Sequence, residues 1–264
     1  MSIIISYEPE RNIFMGATTR ITDVTEATAL SGLTMIFQNL LETGKRLSIK
    51  LETLTNGSLD QKANIPIAIT SAIADVWNII DSIRRIELIY KFLPIKTTGR
   101  LLILVEKIKM VRDSYHHIDE RINEHYSKVG GSVYGDLKWR YRPDKDSQEV
   151  LNMMLASAHH ITEQSKGRNM GQVEKEEFKD NVGIYDVQLI HIGKKKRNDS
   201  LNEIVINLDE AKSIIDEIIL ELEYYYSGTI IKAGDNNIPA RSLPQVIGIR
   251  MKAQAFKDLK EKRK

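Results

Sequence analysis

Cysteine is absent from the chain. That excludes a disulfide framework, a thiolate zinc site and a cysteine nucleophile. Aromatic residues make up only 6% of the sequence, so the core is expected to be aliphatic, built from Ile and Leu. Glycine (15) and proline (6) are too few among 264 residues for a disordered or collagen-like chain. An excess of one charge is also missing: the net charge of +2 leaves the whole-molecule field without a preferred partner. No apolar run is long. The longest, 65–80, is interrupted by Asp75 and falls short of the ~20 residues needed to span a bilayer. Ile3, Ile4 and Ile5 form a run too short for a signal-peptide core, with no basic region before it. A cytoplasmic protein with no membrane partner is the expectation.

What is present is helical periodicity. Leu30, Leu33, Ile36, Phe37, Leu40 and Leu41 recur at the 3–4 spacing of an amphipathic helix that continues through Leu47, Ile49, Leu51 and Leu54. Asn56-Gly57-Ser58 is expected to stop it, because Asn and Gly tolerate the left-handed conformation at a helix end. A second helix is predicted over 66–92, ended by Leu93-Pro94. A third is predicted from Thr98 or Gly99 to about Lys128, with Leu101, Leu104, Val105, Ile108, Val111, Tyr115, Ile118 and Ile122 in one stripe. Residues 132–141 suggest a short strand. A further helix is expected to open at Asp146-Ser147 and bury Val150, Leu151, Met154, Leu155 and Ala158. Period-two alternation over 184–192 and 203–208, joined by a polar linker, predicts a β-hairpin. Asp209 is then expected to cap a helix ending at Gly228. The fold class is mainly α, a helical bundle with a small antiparallel β-hairpin. The expected organisation is an N-terminal arm (1–22), a bundle (23–228) with the hairpin near 184–208, and a basic C-terminal segment (229–264).

Chemistry concentrates in the third helix, in KMVRDSYHHIDERINEHY. Arg112 is followed at once by Asp113 and, after four intervening residues, by His117. This resembles the motif of the HEPN superfamily: an Arg, four to six residues, then a His, with Asn, Asp or His commonly after the Arg. The resemblance covers about half the chain and implies a bundle of four to five helices, often dimeric, with the motif late in it. Many of its members are metal-independent RNases and others only bind, in stress, toxin or phage-defence settings. The resemblance therefore makes RNA and a second copy of the chain the expected partners, and metal-independent endoribonuclease the possible activity. In that chemistry a histidine moves the 2′-OH proton, and an arginine grips phosphate oxygens through its planar fork. The roles fall on His117 and Arg112, with Asp113, His116 and Asp81 as auxiliary polar groups.

The spacing leaves a difficulty. Five residues turn ~140° around an unbroken helix, so Arg112 and His117 would not share a face; a two-fold dimer is the expected remedy. The alternative is an ordinary solvated face, in which Asp113–His117 and His117–Arg121 pairs contribute a few tenths of a kcal/mol each. Asp75, Asp81 and Arg84 of the second helix then form either a polar seam facing the motif helix or a buried ion pair.

Other signals are thinner. His116-His117 with His159-His160 suggests a metal site, but neighbouring histidines point ~100° apart on a helix and no His-Glu-x-x-His pattern exists. No metal and no cofactor is expected, since phosphate-loop and dinucleotide fingerprints are missing as well. Lys194, Lys195, Lys196 and Arg197 form a basic cluster in the hairpin loop, and 250–264 carries seven basic against two acidic residues. Such clusters either solubilise or meet nucleic-acid phosphates. The rival to the RNA reading is a non-catalytic helical protein-interaction module with an unknown protein partner.

Overall fold

The computed structural model of the chain describes residues 4–6, 21–60, 65–126, 132–147, 150–155, 181–194 and 201–232. In chain order the elements are α1 (Val24–Asp60), α2 (Ile65–Tyr90), α3 (Gly99–His116), the single turn α4 (Ile118–Arg121), a π-turn (Ile122–Tyr126), β1 (Asp136–Arg142), β2 (Leu151–Leu155), β3 (Gly183–Lys194), β4 (Leu201–Asn207) and α5 (Leu208–Lys232). The fold is mainly α with a small antiparallel sheet, as the periodicity predicts. Among the described residues no helix is long and apolar enough to cross a membrane.

α1 and α2 pack antiparallel. Their apolar stripes supply Leu33, Phe37, Leu40, Leu47 and Leu51 from α1, and Val76, Ile80, Ile83 and Ile86 from α2, all buried. Beside this apolar seam runs a polar ladder. Asn39 donates to Asn78 and Ser82, and Asn78 donates to Thr43. Arg46 and Lys50 both donate to the buried Asp75. A carboxylate this buried needs such partners, and the rungs disfavour a slip of one helix along the other.

α3 packs against α2 on one side and α5 on the other. Ion pairs Arg100–Glu217 and Lys107–Glu210 bridge α3 and α5. α5 is tied back to the first two helices by Tyr90 Oη, which donates to Glu221, and Tyr226 Oη, which donates to Glu26. Both phenols are buried and face carboxylates, which drives their pKa far above the ordinary tyrosine value. Ile4 and Ile5 of the arm enter the core, and the Ser6 N–H donates to Asp216 of α5.

The predicted hairpin is present. β3 and β4 pair antiparallel from Lys194↔Leu201 to Gln188↔Asn207. It forms half of a four-stranded sheet of order β2-β1-β3-β4, whose inner face places Leu137, Trp139, Leu189 and Ile206 in the common core.

Five local expectations are corrected. The segment after Asp146 is not a helix: Leu151–Leu155 is β2, paired in register with β1 from Tyr141↔Leu151 to Leu137↔Leu155. Its apolar spacing fits either period, and the open edge of β1 decides. α1 does not stop at Asn56-Gly57-Ser58 but runs to Asp60. Thr55 is buried there and accepts a hydrogen bond from Trp139 Nε1 at 3.0 Å, so packing carries the helix through its stop signal. α3 ends at His116 rather than near Lys128. The chain breaks at His117 (φ −105°, ψ 42°) and turns the Arg121 guanidinium inward, where it donates to Ser114 and Glu124. α5 passes Gly228 and ends at Lys232. Its cap is Asn207, not Asp209: Asn207 Oδ1 accepts from the N–H groups of Asp209 and Glu210.

Candidate functional site

The site is assembled where α2, the end of α3 and the turn before β1 meet. α2 and α3 run antiparallel, so residues one turn apart on α2 meet residues one turn apart on α3 in reverse order. Asp81 faces Arg112, with Oδ1 2.8 Å from Nε. One turn away Trp77 faces Tyr115, with ring centroids 4.6 Å apart and planes inclined at 35°. The Arg112 side chain is 33% exposed and that of Asp81 42%. Of the two arrangements open for the charged residues of α2, Asp81 forms the seam toward the motif helix. Asp75 forms a buried ion pair with α1, and Arg84 pairs with Glu87 of its own helix.

His117 sits at the break. Its N–H still donates to Asp113 O at 3.2 Å, and its own carbonyl accepts from the Arg121 N–H at 3.0 Å. The backbone is therefore satisfied on both sides while its direction changes. The side chain is 57% exposed, with Nδ1 3.6 Å from Glu120 Oε1. Because the His117 N–H stays in the helical ladder, the path from Arg112 to His117 is still helical and the offset of ~140° between the two side chains persists; the break redirects the chain after His117. Arg112 and His117 occupy the same end of α3, each beside its own carboxylate. Asp113 and His116 are exposed on the same last turn. Arg121, expected as a surface partner of His117, is instead buried.

Sequence reasoning missed the aromatic cluster beside the motif. Tyr134, in the turn before β1, lies 5.8 Å from Tyr115 by ring centroid, and its carbonyl accepts from Trp77 Nε1 at 3.1 Å. His191 of β3 meets Trp77 edge-on at 5.7 Å from the buried side. Its Nδ1 is 2.6 Å from Ile192 O and its Nε2 3.2 Å from Val133 O. Burial pushes the His191 pKa below the ordinary histidine value, against the opposing pull of the two carbonyls. Trp77 could be read from the sequence only as one more apolar position on a helical stripe. Its neighbours come from segments 38 or more residues away.

Of the basic cluster, Lys194 is the last residue of β3. Lys195, Lys196, Arg197, His159, His160 and the tail 250–264 lie outside the described residues. Among the described residues, no group of three or more His, Cys, Asp or Glu side chains gathers to hold a metal ion. No protein-family model, no curated protein and no solved structure matches the chain.

Proposed function

We propose that this chain is an HEPN-like RNA-handling protein that cleaves RNA without a metal, with Arg112 as phosphate clamp and His117 as proton-transfer group. One observation carries the reading. The two motif side chains lie at one accessible end of α3, where Arg112 is held by Asp81 and His117 stands near Glu120, Nδ1 3.6 Å from Oε1. Arginine stays charged and offers further N–H donors beyond the Nε that meets Asp81. Histidine can take the proton of a ribose 2′-OH, which then attacks the adjoining phosphorus while the 5′-oxygen leaves and takes a proton from water. Arg112 stabilises the charge that builds on the phosphate oxygens. A homodimer that pairs two such ends belongs to the same proposal, and a cytoplasmic location accords with it.

The test is incubation of the purified protein with total RNA, with Arg112→Ala and His117→Ala in parallel. Cleavage by the wild type that both variants lose supports the reading; cleavage retained in both overturns it. The dimer is checked by light scattering at micromolar concentration, where a monomer counts against it.

A second reading, a non-catalytic protein-interaction module, draws on a different observation. Leu220 and Tyr224 stand one turn apart on α5 and are exposed, as are Leu102 and Ile103 on α3. An RNA-inert protein would bring this reading forward.

A further inference from the structure

The α2–α3 seam carries two kinds of contact side by side. The Arg112–Asp81 pair and the Trp77–Tyr115 pair are separated by three residues on α3 and four on α2, a rise of about 5 Å. Tyr134 extends the aromatic pair outward. Tyr134 is 47% exposed, while Trp77 and Tyr115 are half-buried. The cluster is also braced. Trp77 Nε1 is fixed to the Tyr134 carbonyl, and His191 supports the indole from below. An exposed tyrosine beside a half-buried aromatic pair, one turn from a guanidinium, matches what a single-stranded nucleic acid offers: a flat base and, on the scale of one nucleotide, a phosphate. Unstacked bases are commonly taken up on aromatic side chains, and the backbone by arginine.

We propose that Trp77, Tyr115 and Tyr134 form a stacking platform for one nucleobase of single-stranded RNA, whose adjoining phosphate is held by Arg112. The proposal rests on the RNA reading above and adds to it the place of the base and the strandedness of the substrate. It needs no sequence preference, because every base presents a π-face. A single strand is required, since a base paired and stacked within a duplex exposes no face to Tyr134.

The experiment uses the full chain and a short 2′-O-methyl oligoadenylate, which lacks the attacking hydroxyl and stays intact. An abasic strand of the same length and charge is the second ligand. Binding is followed by the fluorescence anisotropy of end-labelled strands, and stacking by quenching of tryptophan fluorescence. Trp139 is only 2% exposed, so a stacked base quenches Trp77 alone. The expected result is quenching by the oligoadenylate and none by the abasic strand. Tyr134→Ala should weaken oligoadenylate binding about 5- to 150-fold and leave abasic binding unchanged. It keeps the backbone carbonyl that Trp77 uses, so the turn survives the substitution. Tyr134→Phe should bind as the wild type does, and Trp77→Phe should bind without the quench.

Equal affinity for the two strands, or wild-type affinity in Tyr134→Ala, overturns the platform. If Arg112→Ala then still loses both strands, RNA binding at the seam stands and only the platform falls. If the wild type binds neither strand, both proposals fall together.

Discussion

Trp77 and Tyr115 stack at 4.6 Å between ring centroids, on adjacent helices and one turn from the Asp81–Arg112 ion pair. Through this pair the turn before β1, the buried His191 of β3 and the end of α3 are held to α2. Removing the indole should therefore be felt well beyond its own contacts. Trp77→Ala should destabilise the protein by about 2–4 kcal/mol, and Trp77→Phe by about 1 kcal/mol. Urea denaturation followed by the remaining tryptophan, Trp139, measures both. A loss below about 0.5 kcal/mol in the alanine variant would mean that the cluster joins nothing.

Asp81→Asn separates the ion pair's structural and functional roles. Both partners are partly exposed, so stability should change by less than about 1 kcal/mol. Relieved of a competing carboxylate, Arg112 should hold phosphate more tightly. RNA affinity should rise several-fold at low salt, and the gain should shrink as salt increases. Unchanged binding at low salt would remove Arg112 from the phosphate-binding role, and weaker binding would mean that Asp81 positions the guanidinium more than it competes for it.

If Arg112 and His117 cleave RNA, cutting should persist in EDTA and leave a 2′,3′-cyclic phosphate, because the adjacent 2′-OH is the nucleophile. Arg112→Ala and His117→Ala should each lose at least ~10²-fold. His116→Ala, one position off the motif, should lose far less. Equal losses at His116 and His117 would make the motif spacing irrelevant.

His191 ties stability to pH in a defined direction. Burial lowers its pKa in the folded chain, whereas the unfolded chain titrates near the ordinary ~6.5. Above that value both states are neutral and the stability contribution is complete. As pH falls below it, the unfolded chain gains a proton that the folded chain does not, so stability drops until the folded pKa is reached. His191→Gln should flatten this part of the profile in denaturation midpoints measured between pH 7 and pH 5. A slope identical to that of the wild type would show that His191 is not responsible.

Gly135 marks where the turn enters β1. Its φ is +85°, and an added Cβ would lie 2.8 Å from Leu189 Cδ1 and 2.9 Å from Ile190 O. The carbonyl cannot move without disturbing the sheet, so Gly135→Ala should cost roughly 2–3 kcal/mol. Gly183→Ala serves as comparison, since φ there is +79° with open space around the site. It should cost about 1 kcal/mol, the conformational strain alone. Equal costs would mean that the contact at Gly135 relaxes freely.

Local pattern and tertiary context contributed separately to this protein. The apolar stripes determined α1, α2, α3 and α5, because a helix must bury one face and Leu33, Val76, Ile108 and Ile215 declare which. Alternation determined the β3–β4 hairpin, because side chains of a strand point alternately to its two faces. The motif pair Arg112 and His117 was likewise visible as a spacing, and Asp81 as a polar residue available to face it. Tertiary structure decided what those patterns leave equivalent. Residues 151–155 became a strand because β1 presented an open edge, and α1 outran Asn56-Gly57 because Trp139 reached back to Thr55. The break at His117 set the direction of the chain that follows the motif. It accompanies the turning-in of Arg121, a charge that must be hydrogen-bonded once buried. The aromatic cluster had no local signature, because Trp77, Tyr115, Tyr134 and His191 lie on four separate segments that only the packing of α2, α3 and the sheet brings within ring contact.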